Sequence, residues 1–140
     1  MHYVLDCSVA VKWFIPEELS DVALVLLARL EIGAVSLVAP DSIFAELGHA
    51  LRKAVLGGEL TAVRSHELIQ DFAALPVLTV PVRPLAPEAM RLTTAHMTTF
   101  YDSVYLALAQ REDLLVLTAD ERMTRAFAPL KRTISLASFS

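Results

Sequence analysis

Several features that would sort a protein quickly are scarce in this chain. It has one cysteine, Cys7, in 140 residues. A single thiol makes neither an internal disulfide nor a thiolate zinc cage, so both are excluded; the expectation for Cys7 is a small buried side chain. No apolar run reaches the roughly 18 residues a membrane-spanning helix needs, and the longest is interrupted by Arg29. The N-terminus lacks a basic leader and carries Asp6 inside its apolar stretch, which argues against a secretory signal. The expected location is therefore the cytoplasm, with no membrane partner. There is no basic excess: 12 Lys and Arg stand against 16 Asp and Glu, whereas a nucleic-acid binder more often carries the opposite balance. Repeats, low-complexity tracts and linkers are also absent. The length suits one compact domain over residues 1–140.

What is abundant is apolar surface, at 55% of residues, enough that a partner is expected to cover part of it. Strands and helices alternate. Residues 2–6 read as a short buried strand. A helix is expected from Ser8 to Phe14, ending ahead of Pro16, which disfavours helix before it. Residues 17–32 read as a helix stopped by Gly33; its middle, VALVLLARL, is apolar nearly all round and is expected to be buried or to meet a partner. Residues 35–38 form a second strand, and Pro40 and Asp41 open a helix that Gly57-Gly58 stop. In that helix Ile43, Leu47, Ala50, Leu51 and Ala54 share a face at helical spacing. Thr61 to Ala74 form another helix, and PVLTVP a third strand. Residues 86–98 and 102–112 are helices, LLVLT is a fourth strand and RTISL a possible fifth. This alternation implies a parallel sheet of four to five strands covered on both faces.

Four acids stand apart from the rest. Asp6 follows HYVL, Glu46 lies in PDSIFAELGHAL, Asp102 in FYDSVYLALAQ and Asp120 in LLVLTADERM. In parallel α/β sheets, ligands collect beyond the carboxyl ends of the strands, where Asp6 and Asp120 fall; helices starting at that edge can deliver Glu46 and Asp102. Plain structural roles compete. Asp120 suits a helix cap, Thr118 and Glu121 have capping-box spacing, Asp102 suits a first helical turn, and Asp6 suits a cap for the helix at Ser8. Glu46, at the border of an apolar stripe, has no such explanation. One common cause is a site for a hard divalent cation, which takes oxygen ligands. Without these four acids the remaining charges balance, which weakens the objection to a nucleic-acid substrate.

These segments also carry a resemblance. VLDCSVAVKWF, with Asp6, Cys7, Ser8, Lys12 and Trp13, is similar to the opening of PIN-domain ribonucleases, particularly VapC-type toxins of toxin–antitoxin pairs. APDSIFAELGHAL resembles the family's second motif through Glu46, YDSVYLALAQ its third through Asp102, and LLVLTADERM its fourth through Thr118 and Asp120. The chain departs from the pattern at Cys7, where a small residue such as Ala or Thr is usual, and at His49, where Asn is frequent. The resemblance implies a three-layer α/β/α domain and Mg²⁺- or Mn²⁺-dependent endonucleolytic cleavage of RNA. It implies that Asp6, Asp102 and Asp120 hold one or two cations, that Glu46 completes the shell or orients water, and that Ser8 and Thr118 support them. Lys12, Arg122 and Arg125 flank the motifs as candidate phosphate contacts, against an ordinary role as solvated charges. Trp13 is expected in a core or interface. A VapB-like antitoxin and a homodimer are the implied protein partners.

Glu46-x-x-His49 is half of a di-iron carboxylate motif, but no second Glu-x-x-His is present, and a zincin would need His where Ala45 stands. His49 is therefore not expected to bind metal. Two other readings compete. A phosphorylatable receiver domain wants paired acids after its first strand and an acceptor Asp after its third; here Asp6 stands alone and the third strand ends in Val80-Pro81. A PIN fold used only for binding would not need its acids intact.

Overall fold

The computed structural model describes residues 1–139. Five strands form one parallel sheet: β1 (His2–Leu5), β2 (Ser36–Pro40), β3 (Leu78–Val80), β4 (Leu115–Thr118) and β5 (Thr133–Ser135). Seven α-helices connect and cover them: α1 (Cys7–Ala10), α2 (Ser20–Glu31), α3 (Ile43–Leu56), α4 (Ala62–Ala74), α5 (Ala86–His96), α6 (Phe100–Glu112) and α7 (Glu121–Ala126). The sheet order is β3-β2-β1-β4-β5. The chain builds outward from β1 to β3, crosses to the other side of β1, and continues through β4 to β5. The order therefore reverses between β1 and β4, and such a switch point leaves a crevice beyond the strand ends.

The central strands are the apolar ones. Val4, Leu5, Leu37, Ala39, Val116 and Leu117 are fully buried or nearly so, as expected for strands covered on both faces. Across the switch point Tyr3 pairs with Leu115, Val4 with Val116 and Leu5 with Leu117. Helix α6 packs over β1, β2 and β4, alongside α5. Its residues from Ser103 to Ala109 are all buried, so it is apolar around its whole circumference.

The boundaries depart from the sequence expectation where local geometry competes. The first helix begins at Cys7 and tightens into a 3₁₀ turn over Val11–Trp13. The second starts at Ser20 instead of residue 17, because Leu19 adopts a left-handed φ of 66° and the Ser20 hydroxyl accepts the Glu17 N–H at 2.9 Å. Gly33 ends α2 at a φ of 76°, a conformation glycine adopts without Cβ strain. Pro40 closes β2 instead of opening a helix, and pairs in register with Val80. The helix expected from residue 102 starts at Phe100, capped by Thr99, whose hydroxyl accepts the Asp102 N–H. The possible fifth strand is present as Thr133–Ser135.

Trp13 belongs to the core. It is 8% exposed, packs beside Phe14 and Phe72, and its indole N–H donates to the Ala23 carbonyl at 2.8 Å. The all-round apolar α2 is buried at Ala23, Leu26 and Leu30 but leaves Leu24 and Val25 about half exposed. Among the described residues no helix is long and apolar enough to cross a membrane.

Truncating Trp13 to Ala should cost about 3–5 kcal/mol, since it empties a large packed volume and strands a carbonyl. Val63→Ala, at an exposed helical position, should stay within about 0.5 kcal/mol. Urea unfolding checks both. Equal midpoints for the two variants would show that Trp13 is not part of the load-sharing core.

Candidate active site

At the carboxyl end of β1 the backbone turns into α1, and Asp6 stands at that turn with extended φ and ψ. It occupies the cap position but makes no side-chain cap hydrogen bond, so the plain capping role is overturned. Its carboxylate instead turns toward β4. Oδ2 accepts the hydroxyl of Ser8 at 2.5 Å and that of Thr118 at 2.8 Å. Each hydroxyl also accepts a backbone N–H from the segment after β4: Ser8 from Ala119 at 2.9 Å, and Thr118 from Asp120 at 3.0 Å. A hydroxyl has one proton to give, and both protons go to Asp6. The two side chains thus tie β1, α1 and the β4–α7 turn into one network. Thr118 is fully buried and ends β4; it forms no capping box, because Asp120 is the helix cap. Asp120 Oδ1 accepts the Arg122 N–H at 2.9 Å.

Glu46 lies in the first turn of α3. Its Oε2 accepts the hydroxyl of Tyr105 at 2.5 Å. Tyr105 is fully buried in α6, three residues after Asp102 and therefore on the same side of that helix. Nothing in the motif around Asp102 assigns this tyrosine a role. The available signal was its polar tip inside the otherwise apolar run VYLALA.

The electrostatics follow from burial and from shared charge. Burial raises the Asp6 carboxyl above its ordinary value, with the hydrogen bonds from Ser8 and Thr118 opposing and the charge of Asp120 adding. Burial also pushes Glu46 up to about 7, against the Tyr105 hydrogen bond and helped by the charges of Asp6 and Asp102. Asp102 rises to about 6 through burial and then the charges of Asp6 and Asp120. Burial raises the Cys7 thiol too, with Glu46 and Asp6 adding to it, so it stays a neutral thiol. Charge therefore links Glu46 to Asp6 and Asp102, and Asp120 to Asp6 and Asp102, so the four acids form one connected set. They do not form a closed cage: among the described residues no group of three His, Cys, Asp or Glu side chains is set to hold a metal ion. The carboxylates lean on partners of their own: Asp6 on two hydroxyls, Glu46 on a phenol, Asp120 on its helix and Asp102 on Thr99.

The flanking bases are placed differently from one another. Lys12 pairs with Glu17 at 3.0 Å and its side chain is only 10% exposed. Arg122 lies 3.6 Å from Asp120 and lines the cleft beside the acids. Arg125 pairs loosely with Glu121 at 3.8 Å on the exposed side of α7. His49, one turn beyond Glu46, lines the same cleft.

Comparison with known proteins places this geometry. The PIN domain family profile matches residues 3–127. Ribonuclease VapC1 of Mycobacterium tuberculosis, in strains CDC 1551 and H37Rv, is 39% identical over 90 residues, 63% of this chain. The matched region spans 65% of the length of those curated relatives. The fold is shared with PAE2754 of Pyrobaculum aerophilum, at a TM-score of 0.71 and 22% identity over 99% of this chain and 91% of that one. It is shared with VapBC2 of Rickettsia felis, solved with a promoter DNA fragment, at a TM-score of 0.68 and 14% identity over 96% and 97%. A toxin–antitoxin complex from Klebsiella pneumoniae aligns at a TM-score of 0.62 and 14% identity, with the same coverage.

A carboxyl group whose folded pKa lies above its unfolded value binds more protons when folded, so stability falls as pH rises between the two. For Glu46 and Asp102 that window runs from near 4 to about 7 and about 6. Metal-free protein should therefore lose stability from pH 4 to pH 7, on the order of a kcal/mol because both groups are partly solvated. Asp6→Asn should lessen that loss, since an amide oxygen can still accept both hydroxyls. Melts in chelator across this range test it, and stability that rises with pH would contradict the coupling. Tyr105→Phe should move the Glu46 titration upward, because the lost hydrogen bond favours the charged form; carbon-detected NMR of the carboxyl groups reads this.

Proposed function

The chain belongs to the PIN-domain family, and from that membership we propose that it is a Mg²⁺- or Mn²⁺-dependent endoribonuclease, the toxin of a toxin–antitoxin pair. The observation that carries the proposal is the set of four electrostatically coupled acids at the β1/β4 switch point, with Asp6 held in place by Ser8 and Thr118. The likeness to a protein named Ribonuclease VapC1 supports RNA as the substrate. The shared fold with VapBC2 and with a toxin–antitoxin complex agrees with an antitoxin partner. Half-exposed Leu24 and Val25 on α2, and Leu56 at the end of α3, are apolar surface that such a partner or a second copy would cover.

The donor set fits a hard cation. Every candidate ligand is a carboxylate oxygen, and burial makes four nearby negative charges costly without a counter-ion. No three of these side chains close on one point among the described residues, so an ion held here would keep waters and take substrate phosphate as a ligand, as Mg²⁺ does elsewhere. Asp6, Asp102 and Asp120 would hold one or two ions, with Glu46 completing the set. A bound cation polarises the scissile phosphate and acidifies water.

The chain's own groups supply the rest. The Ser8 and Thr118 hydroxyls fix the Asp6 carboxylate through Oδ2, as outer partners orient ligands in metal sites. Tyr105 engages Oε2 of Glu46, a residue that lines the cleft, and leaves its other oxygen available to orient water. Arg122 supplies positive charge at the mouth of the cleft for the substrate phosphate. A receiver-type phosphoacceptor finds no counterpart: β3 is the edge strand, and Pro81 follows it directly.

Asp6→Asn, Asp102→Asn and Asp120→Asn should each lower Mn²⁺-dependent RNA cleavage by at least about 100-fold while folding normally, with Glu46→Gln similar. Gel assays of cleavage with and without chelator test this; full activity in excess chelator would refute it. Incubation with acetyl phosphate should leave the protein unmodified. Induction of the wild-type chain should arrest bacterial growth, whereas Asp6→Asn at matched protein level should not. Equal growth under both would leave a PIN nuclease that is not a toxin.

A further inference from the structure

A cleft of about 810 Å³ opens beside the acids, and of the four only Glu46 lines it. From Glu46 it follows α3. Glu46, His49, Ala50 and Lys53 all line it, at the i, i+3, i+4 and i+7 spacing of one helical face. Ser8 of α1 and Val11 of the 3₁₀ turn that follows it also line the cleft. A second cleft of about 310 Å³ shares Val11, Ala50 and Lys53 with the first, so the two form one groove leading away from the site. Its floor is low because Ala45, Ala50 and Ala54 are small.

The charges along this groove are ordered. Arg122 and Tyr101 stand at the end near the acids, Lys53 and His49 along the middle, and Glu17 and Glu59 at the far end. Lys12 is already paired with Glu17. Lys53 and His49 are exposed and form no ion pair among the described residues, so their charge or donor capacity is unspent. Tyr101 is 60% exposed and has no ring partner among the described residues, which is unusual for a large aromatic side chain beside a cleft.

We propose that this groove seats a single-stranded segment of RNA on one side of the bond to be cut. Tyr101 stacks on a base beside the scissile phosphate, and Lys53, with His49, contacts a phosphate farther along. This rests on the ribonuclease reading. Stacking on an exposed aromatic ring needs an unstacked base, which a single strand offers and a duplex does not. Glu59 repels phosphate at the far end, where Glu17 is already paired with Lys12, so the bound segment is short: Glu46 to Lys53 spans only about 10 Å along the helix. The ordering favours an anionic strand near the acids; a polypeptide occupant would have to leave Lys53 unpaired or bring its own acid.

The test separates binding from cleavage. In the Asp6→Asn background, anisotropy of a short labelled oligoribonucleotide should show Lys53→Ala and Tyr101→Ala each weakening binding roughly 5- to 100-fold. Tyr101→Phe should bind like the parent. Lys53→Ala should lower the slope of log affinity against log salt by about one, and Tyr101→Ala should leave it unchanged. Glu59→Lys should tighten binding. A duplex of the same sequence should bind the parent and the Tyr101→Ala variant equally. In the otherwise wild-type chain, both Ala variants should raise KM with kcat within about twofold. All these positions are exposed, and melting curves confirm folding. RNA binding indifferent to Lys53, Tyr101 and Glu59, with the groove occupied instead by a polypeptide, would overturn the inference. If the variants behave as expected in binding but the wild-type chain cuts no RNA, the ribonuclease reading fails and the groove stands. If it cuts RNA and the variants change nothing, the groove fails alone.

Discussion

A buried carboxylate at the end of a central strand must be held or neutralised, and the way Asp6 is held organises the whole carboxyl edge of the sheet. Its oxygen takes protons from Ser8 and Thr118, and those hydroxyls in turn take backbone N–H groups from Ala119 and Asp120. One network therefore fixes the exit of β1, the start of α1 and the turn after β4. These are the elements that flank the topological switch. Losing either hydroxyl would leave a charge with fewer donors in a place water barely reaches, and it would free a backbone N–H of the turn that positions Asp120.

The second organising element is α6. A helix buried around its circumference from Ser103 to Ala109 has no freedom to rotate, so its few polar groups have defined directions. Asp102 is placed at its capped start and Tyr105 one turn on, and Tyr105 reaches Glu46 on α3. Two carboxylates from separate helices are thereby referred to one rigid element. The core supplies the rigidity, and the polar groups inherit it.

The acids share charge without closing on one point. Each is raised by burial or raises its neighbours, and among the described residues no three of them are set around a common centre. Under the proposed function, a cation would be drawn by this accumulated charge and not by a preformed cage. Positive charge also reaches this edge: Arg122 lies 3.6 Å from Asp120 and lines the cleft together with Lys53.

Much of this was readable in the residues. Alternation of apolar strands and amphipathic helices dictated a parallel sheet, because strands such as HYVL and LLVLT are apolar on both faces. The four acids were legible because Asp6, Asp102 and Asp120 fall at or near the starts of helices beside apolar strands or runs, and Glu46 sits on the border of an apolar helical stripe with no Lys or Arg a turn away. Short-range capping went partly astray: Thr118 and Glu121 have the spacing of a capping box, yet Thr118 is committed to a partner 112 residues away. Leu19 and Pro40 moved boundaries for reasons of backbone geometry that composition does not encode. Only the tertiary structure could show that Tyr105 holds Glu46, that Lys12 is spent on Glu17 whereas Lys53 is not, and that α3 and the first helix line a common groove. A sequence states which side chains can donate, accept or carry charge. Which of those capacities are already used depends on contacts between segments far apart in the chain, and those exist only once the sheet order has been chosen.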